Sequence, residues 1–348
     1  MKKAVAVIVS VPILITAYLV LHHRLPSPVL QSVAKEPPTK VRFIAFGDIN
    51  LGRAVGQKIL KGDTTFPFKR IDLSIDSADI VFANLESPIS EQNGETVSPI
   101  SNIVFTAPPL AARTLKQAGL TILSTANNHA LDYGVHGAIE TINYLQQQNL
   151  LHVGTSKTSD LLFNPLLIEE KKIKFAIFAV TEFMNFNPKQ WRNVVASIDT
   201  QRLKIEITQI RDKVDVIILS CHGGTEYGKK PSESIRQFAL WCVANGVDVF
   251  VGHHPHVTYG IEKIQRRIII HSLGNFIFYQ PQMYWTQRSY GVSLLFEKND
   301  SLVTYDIERI IPLSVGFQTH RMSDTAEIQR LKVRTQQFSN FDLARYWK

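Results

Sequence analysis

The chain has 348 residues, 45% hydrophobic, 9% aromatic and 20% charged, a globular mix that excludes a disordered, collagenous or coiled-coil whole. Two cysteines, Cys221 and Cys242, are too few for a disulfide scaffold or a four-cysteine zinc site. The net charge is +8, but Lys2, Lys3, Arg24, Lys35 and Lys40 against Glu36 place half of that excess in the first 40 residues. The remainder is only mildly basic, which fits an anionic substrate, and without arginine–aromatic interleaving no nucleic acid is expected as a partner.

Lys2 and Lys3 precede an apolar run over residues 4–21, apolar on every face and interrupted only by mild residues such as Ser10, Pro12 and Thr16. Eighteen helical residues span ~27 Å, close to the thickness of a bilayer core. His22-His23-Arg24 follows with no small-x-small pair for a signal peptidase, which favours an uncleaved signal-anchor over residues 1–24 above a cleaved signal peptide. The lysine pair favours a cytoplasmic N-terminus, hence a single-pass protein of the cell membrane with an extracytoplasmic domain. Residues 25–40 carry Pro26, Pro28, Pro37 and Pro38 and read as an extended linker.

Residues 41–49, 79–84, 120–125, 174–180, 215–220 and 247–251 are short β-branched runs, apolar on both faces, as strands covered on two sides should be. Helix-like segments at 109–117, 136–148, 200–213 and 232–245 alternate with them, an α/β order. Hairpins are expected at 257–264/268–272 and 290–297/302–309, so antiparallel strands join the parallel series in a mixed sheet or two stacked sheets. A domain over residues 41–310 and a C-terminal extension over 311–348, with a helix near 326–337, complete the division.

Polar residues follow each strand: Gly47-Asp48-Ile49-Asn50-Leu51-Gly52-Arg53, Asn84-Leu85-Glu86, Asn127-Asn128-His129-Ala130-Leu131-Asp132, Cys221-His222-Gly223-Gly224-Thr225-Glu226, Gly252-His253-His254-Pro255-His256 and Leu273-Gly274-Asn275-Phe276. In α/β sheets the carboxyl ends of strands form the edge where ligands bind. Singly, most of these are ordinary: an aspartate after a strand forms turns, Glu86 reads as a loop carboxylate and His222 as a structural histidine. Three imidazoles in four positions have little packing use, and His254 with His256 has the alternate spacing of paired ligands. Oxygen and imidazole donors suit divalent Mn, Zn or Fe, and two such ions sharing a carboxylate and activating a water are a known device for phosphoester hydrolysis.

These six blocks, in this order, resemble the CapA family of capsule and poly-γ-glutamate synthesis proteins, a branch of the calcineurin-like metallophosphoesterases; the resemblance covers about residues 41–310. It implies a four-layer sandwich of two mixed β-sheets flanked by helices, in addition to the N-terminal membrane helix. It implies one or two divalent metal ions: Asp48 and His256 at one, Asn128, His222 and His254 at the other, Glu86 between them. His129 would be the general acid, steadied by Asp132; Arg53, Glu226, His253 and Asn275 would face substrate. The sequence departs from the wider phosphoesterase pattern at Asn50, which replaces a histidine ligand and weakens the first metal site, at Glu86 in place of aspartate, and at Ala130 in place of an acid. Gly223, where the family often has an aromatic residue, is expected to widen the pocket.

Two functions remain open on the sequence. One is a membrane-anchored, metal-dependent hydrolase acting on an anionic polymer or a phosphoester. The other is a non-catalytic accessory protein that grips the polymer during export, alongside subunits of a capsule-synthesis complex.

Overall fold

The computed structural model describes residues 38–71, 78–185 and 191–347. The apolar run 4–21 and nearly all of the linker lie outside them; among the described residues no helix is long and apolar enough to cross a membrane.

In chain order the strands are β1 (Thr39–Ile49), β2 (Ile80–Leu85), β3 (Val97–Ser98), β4 (Ser101–Phe105), β5 (Ile122–Ser124), β6 (Leu151–Val153), β7 (Leu166–Glu170) and β8 (Ile173–Thr181). They continue as β9 (Val216–His222), β10 (Val249–His253), β11 (Ile261–Ile264), β12 (Arg267–Ile270), β13 (Asn275–Ile277), β14 (Arg288–Asn299), β15 (Leu302–Ser314) and β16 (His320–Arg321). One sheet has the order β16-β15-β14-β1-β2-β5-β6, with β13 also paired to β1; the other runs β11-β12-β10-β9-β8-β7. Both are mixed. β1, β2, β5 and β6 are parallel, as are β8, β9, β10 and β12, whereas β14–β15 and β11–β12 are the antiparallel hairpins expected from the sequence.

Side-chain alternation along the strands builds the layers. Val41, Phe43 and Ala45 of β1 point into one buried cluster with Phe175, Ile177, Ile218 and Val251 of the other sheet, so the sheets pack face to face. Ile44 and Phe46, on the opposite face of β1, pack with Val55, Ile59, Ala111 and Leu115 from helices Arg53–Leu60 and Leu110–Gln117. Phe178, Leu219 and Phe250 do the same with Leu203, Ile207, Phe238 and Ala239 from helices Thr200–Ile210 and Glu233–Ala244. The result is helices, sheet, sheet, helices.

β15 runs through residue 310 to Ser314, and the segment beyond it carries helix Thr325–Gln337. Leu331, Leu343 and Tyr346 from that segment enter the cluster between the sheets. Cys221 and Cys242 are both free and buried in the outer cluster of the second sheet, with Cys221 on the opposite face of β9 from His222.

Candidate metal centre

All the parallel strands end on one edge, and the pairing registers set their polar residues side by side. Asp48 of β1 is opposite both Asn84 of β2 and Asn275 of β13, and His222 of β9 is opposite both Thr181 of β8 and His253 of β10. Such proximity needs glycine in two places. A Cβ on Gly47 would stand 1.8 Å from the Gly274 carbonyl oxygen, and one on Gly252 would stand 2.1 Å from that of His271.

The edge brings together Glu86, His222 and His254 on one side and Asp48, Glu86 and His256 on the other; within each group the ligand atoms lie within 4.8 Å of one another, and Glu86 belongs to both. His222 Nε2 is 2.8 Å from Asn128 Oδ1, 3.1 Å from His254 Nδ1 and 3.6 Å from Glu86 Oε1. His256 Nε2 is also 3.6 Å from Glu86 Oε1, and its Nδ1 is 3.5 Å from Asp48 Oδ2. Ligand atoms at ~2.1 Å from a shared tetrahedral cation stand ~3.4 Å apart, so these spacings fit a cation cluster.

The decisive observation is Glu86. Its side chain is 0% exposed and neither carboxylate oxygen has a hydrogen-bond partner. Burial, then the neighbouring charges of Asp48, Glu226 and Asp132, pushes it well above the usual carboxylate range. A buried carboxylate without donors is costly unless a positive charge meets it. Burial, then His254, holds the His222 imidazole well below its ordinary value, and burial, then His256, brings His254 down to about 3. Both are therefore neutral at physiological pH, the form that coordinates a cation. Asp48 is pushed up by burial, but the imidazoles of His253 and His256 outweigh this and hold it well below the usual range. The residues present fit a divalent cation site.

Backbone strain concentrates here. His254 (φ 95°), His256 (φ 58°), Arg53 (φ 50°) and Tyr227 (φ 56°) all occupy the left-handed region without being glycine. The turn after β10 thereby leaves His253 on the strand and swings the next two imidazoles into the cluster.

The other expected residues surround this centre. His129 Nδ1 is 2.9 Å from Asp132 Oδ2, and its ring stacks on Phe105 at 4.2 Å. The Arg53 guanidinium lies over the same Phe105 ring at 4.6 Å and donates to the Asn102 carbonyl at 2.8 Å. Asn275 Oδ1 is 2.9 Å from His256 Nδ1; an amide oxygen only accepts, so Nδ1 carries the proton and Nε2 is free to face Glu86. His253 is enclosed, with Nδ1 3.3 Å from Asp48 Oδ1, so it meets the carboxylate and not the solvent side. Glu226 is exposed, and its charge acts on both Glu86 and Tyr227.

One detail differs from the sequence reading. Gly223 does not open the pocket, because the space a side chain would take is filled by Ile235 and Glu182, 2.7 and 2.8 Å from a Cβ placed there. Asn50 does not stand in for the missing histidine with its oxygen: Oδ1 accepts from the Gly52 amide at 2.8 Å, leaving Nδ2 buried without a partner.

Three residues not singled out by the sequence also belong here. Asn84 Nδ2 donates to Asp48 Oδ1 at 2.8 Å and lies 3.1 Å from His222 Nδ1. Its position at the end of β2, two residues before Glu86, was the available signal. Asn185 touches Asn128 and His129. The hydroxyl of Tyr227, pushed up to about 12 by burial and by Glu226 and Glu86, accepts from Gln280, which in turn accepts from Asn275.

The chain is 27% identical over 283 residues to the capsule biosynthesis protein CapA of Bacillus anthracis, covering 79% of this chain and 68% of the relative. It is 29% identical over 268 residues to the PGA biosynthesis protein CapA of Bacillus subtilis (strain 168), covering 76% and 67%. Among solved structures, the 5'-nucleotidase of Candida albicans aligns with a TM-score of 0.44 at 11% identity, over 83% of this chain and 53% of that one. The model of the bacterial capsule synthesis protein family PGA_cap matches residues 42–280, which span every strand-end block that builds the cation cluster, and the chain belongs to that family.

Proposed function

We propose that this protein is a metal-dependent hydrolase of capsule or poly-γ-glutamate biosynthesis, acting on an anionic polymer or a phosphoester. The observation that carries the reading is the buried, partnerless Glu86 carboxylate between two groups of neutral imidazole and carboxylate donors. Asn128, His222, His254 and Glu86 would hold one divalent cation, Mn, Zn or Fe; Asp48, His256 and Glu86 would hold the second. Bound there, such ions supply Lewis-acid polarisation of the scissile group and a water acidic enough to ionise near neutral pH.

The chain's own residues do the rest. Asp132 keeps a proton on His129 Nδ1, so Nε2 is the nitrogen that carries the mobile proton to the leaving atom. Arg53, fixed by its φ of 50° and by Phe105 and Asn102, presents a cation to an anionic group of the substrate. Phe105 also covers one face of His129 and keeps water from it. Residues 4–21 anchor the domain to the outer face of the cell membrane.

The test is to load the purified protein with Mn²⁺, Zn²⁺ or Fe²⁺, measure bound metal, and assay γ-glutamyl polymer and phosphoester hydrolysis. Binding that is lost in His254→Ala, with turnover of one substrate class, supports the reading; no binding, or binding unaffected by His254→Ala, overturns it. The second reading, a non-catalytic polymer-binding accessory protein, is favoured by the Asn50 amide, which withholds an oxygen from the Asp48–His256 end. Complementation separates the two. An accessory role fails if Asp48→Ala, Asn128→Ala and His222→Ala each abolish function as fully as deletion.

A further inference from the structure

A carboxamide at a cation site is ambivalent, since its oxygen binds the ion and its NH₂ repels it. Asn128 serves the cluster only if Oδ1 faces His222, and something must fix that orientation. Asn185 Oδ1 accepts from Asn128 Nδ2 at 3.0 Å, which leaves Asn128 Oδ1 pointing at His222 Nε2. The same Asn185 extends its own Nδ2 to 3.4 Å from His129 Nε2 and 3.5 Å from Nδ1. Its backbone is held in place as well, with the Asn185 amide donating to the Asn128 carbonyl at 3.4 Å.

Residues 181–185, which lead to Asn185, are fastened to the cluster. The Glu182 amide donates to the His222 carbonyl at 2.9 Å, Glu182 Oε2 accepts from the Gly224 amide at 2.8 Å, and Thr181 Oγ1 donates to the Phe183 carbonyl at 2.9 Å. The Phe183 ring meets His254 edge-on at 4.8 Å. This segment is thus a support built against the site rather than an incidental loop.

We infer that Asn185 is a positioning residue: its side chain orients the Asn128 amide toward the cation and contacts His129, joining the ligand cluster to the proton-transfer residue. The inference rests on the cation-site reading above. Partners of this kind typically change metal affinity or activity ~10–100-fold when removed.

Two substitutions in the full chain separate the contacts. Asn185→Leu removes both the acceptor for Asn128 and the amide beside His129; Asn185→Asp keeps the acceptor and replaces that amide with a negatively charged oxygen beside the imidazole. Mn²⁺ titration calorimetry is expected to show affinity reduced ~10–100-fold in Asn185→Leu and restored in Asn185→Asp, with kcat falling in Asn185→Leu. Thermal unfolding of the chelated proteins checks that both fold, with Asn185→Ala replacing Asn185→Leu should the latter not. Wild type that binds no Mn²⁺ overturns the cation site and this role with it. Wild-type binding together with unchanged affinity in Asn185→Leu or Asn185→Ala overturns the role of Asn185 alone.

Discussion

Asp132 Oδ2 accepts from His129 Nδ1 at 2.9 Å and from the Phe105 amide at 3.0 Å, so one carboxylate oxygen ties the imidazole to the strand whose ring covers it. Burial raises the Asp132 carboxyl, and the His129 hydrogen bond works against that rise. His129→Gln is expected to lower kcat by ~10²–10⁴-fold, the usual contribution of a positioned acid, with Mn²⁺ affinity within a few-fold of wild type. Asp132→Asn should give a smaller loss in kcat. Steady-state kinetics beside calorimetric titration checks both; a joint loss of cation binding would assign His129 to the ligand set.

Glu86 gives a prediction about stability. Replacing it with methionine, of similar length, removes two buried oxygens without partners. The chelated Glu86→Met protein is expected to be ~1–3 kcal/mol more stable than chelated wild type, the usual cost of an unsatisfied buried polar group. It should no longer bind Mn²⁺. Denaturant unfolding with and without metal measures both effects, and a destabilised chelated variant would contradict the account of Glu86.

Asn50 predicts an imbalance between the two ends of the cluster. With its oxygen on Gly52, the Asp48–His256 end lacks a donor that the other end has in Asn128. Wild type should bind one Mn²⁺ tightly and a second at least ~10-fold more weakly, and Asn50→His should narrow that gap. Elemental analysis after dialysis and calorimetry report the stoichiometry.

The pH dependence of the chelated fold follows from His254 and Glu262. His254, brought down to about 3 by burial and then His256, resists protonation when folded but accepts it near pH 6.5 when unfolded. Its contribution is present above about pH 6.5 and declines as pH falls toward about 3. Glu262, held to about 2 by hydrogen bonds from His271 and, after a smaller opposing effect of burial, Arg236, contributes fully above its unfolded pKa of ~4.3 and loses this as pH falls toward about 2. Thermal unfolding from pH 7.5 to 4 should show a falling Tm. Glu86, held high, acts in the opposite sense, so Glu86→Met should steepen the fall.

Gly47→Ala tests the close approach of β1 and β13. The added carbon would meet the Gly274 carbonyl oxygen at 1.8 Å, and Asp48 and Asn275 lie next along those strands. A loss of ~3 kcal/mol or more is expected, with weakened cation binding even in the folded fraction. Gly62→Ala, which meets nothing within 4 Å but sits at a φ of 92°, is the control for backbone strain alone.

The central strands could be read from the sequence because β2, β8, β9 and β10 are apolar on both faces, and burial on two sides is a local property of composition. The six residues expected to hold cations could be picked out for a related reason: each stands at or just past the end of a buried strand. β13 was not, since its three residues are defined by pairing with β1, a contact some 230 positions distant along the chain. Helix Arg53–Leu60 was obscured by Gly56, which lowers helix propensity, and by the lack of acidic residues in its first turn. Asn185 and Tyr227 carry no marking of their own. An amide before a turn is commonplace, and what distinguishes these residues is whom they touch.

The left-handed geometry of His254 and His256 sets durability against chemistry at two named positions. Each non-glycine residue in that conformation costs ~1–3 kcal/mol. Glycine at either would relax the main chain while erasing a nitrogen donor. Selection for heat resistance without selection for activity should therefore drift toward glycine at these two sites, yielding a hardier protein with an empty hand.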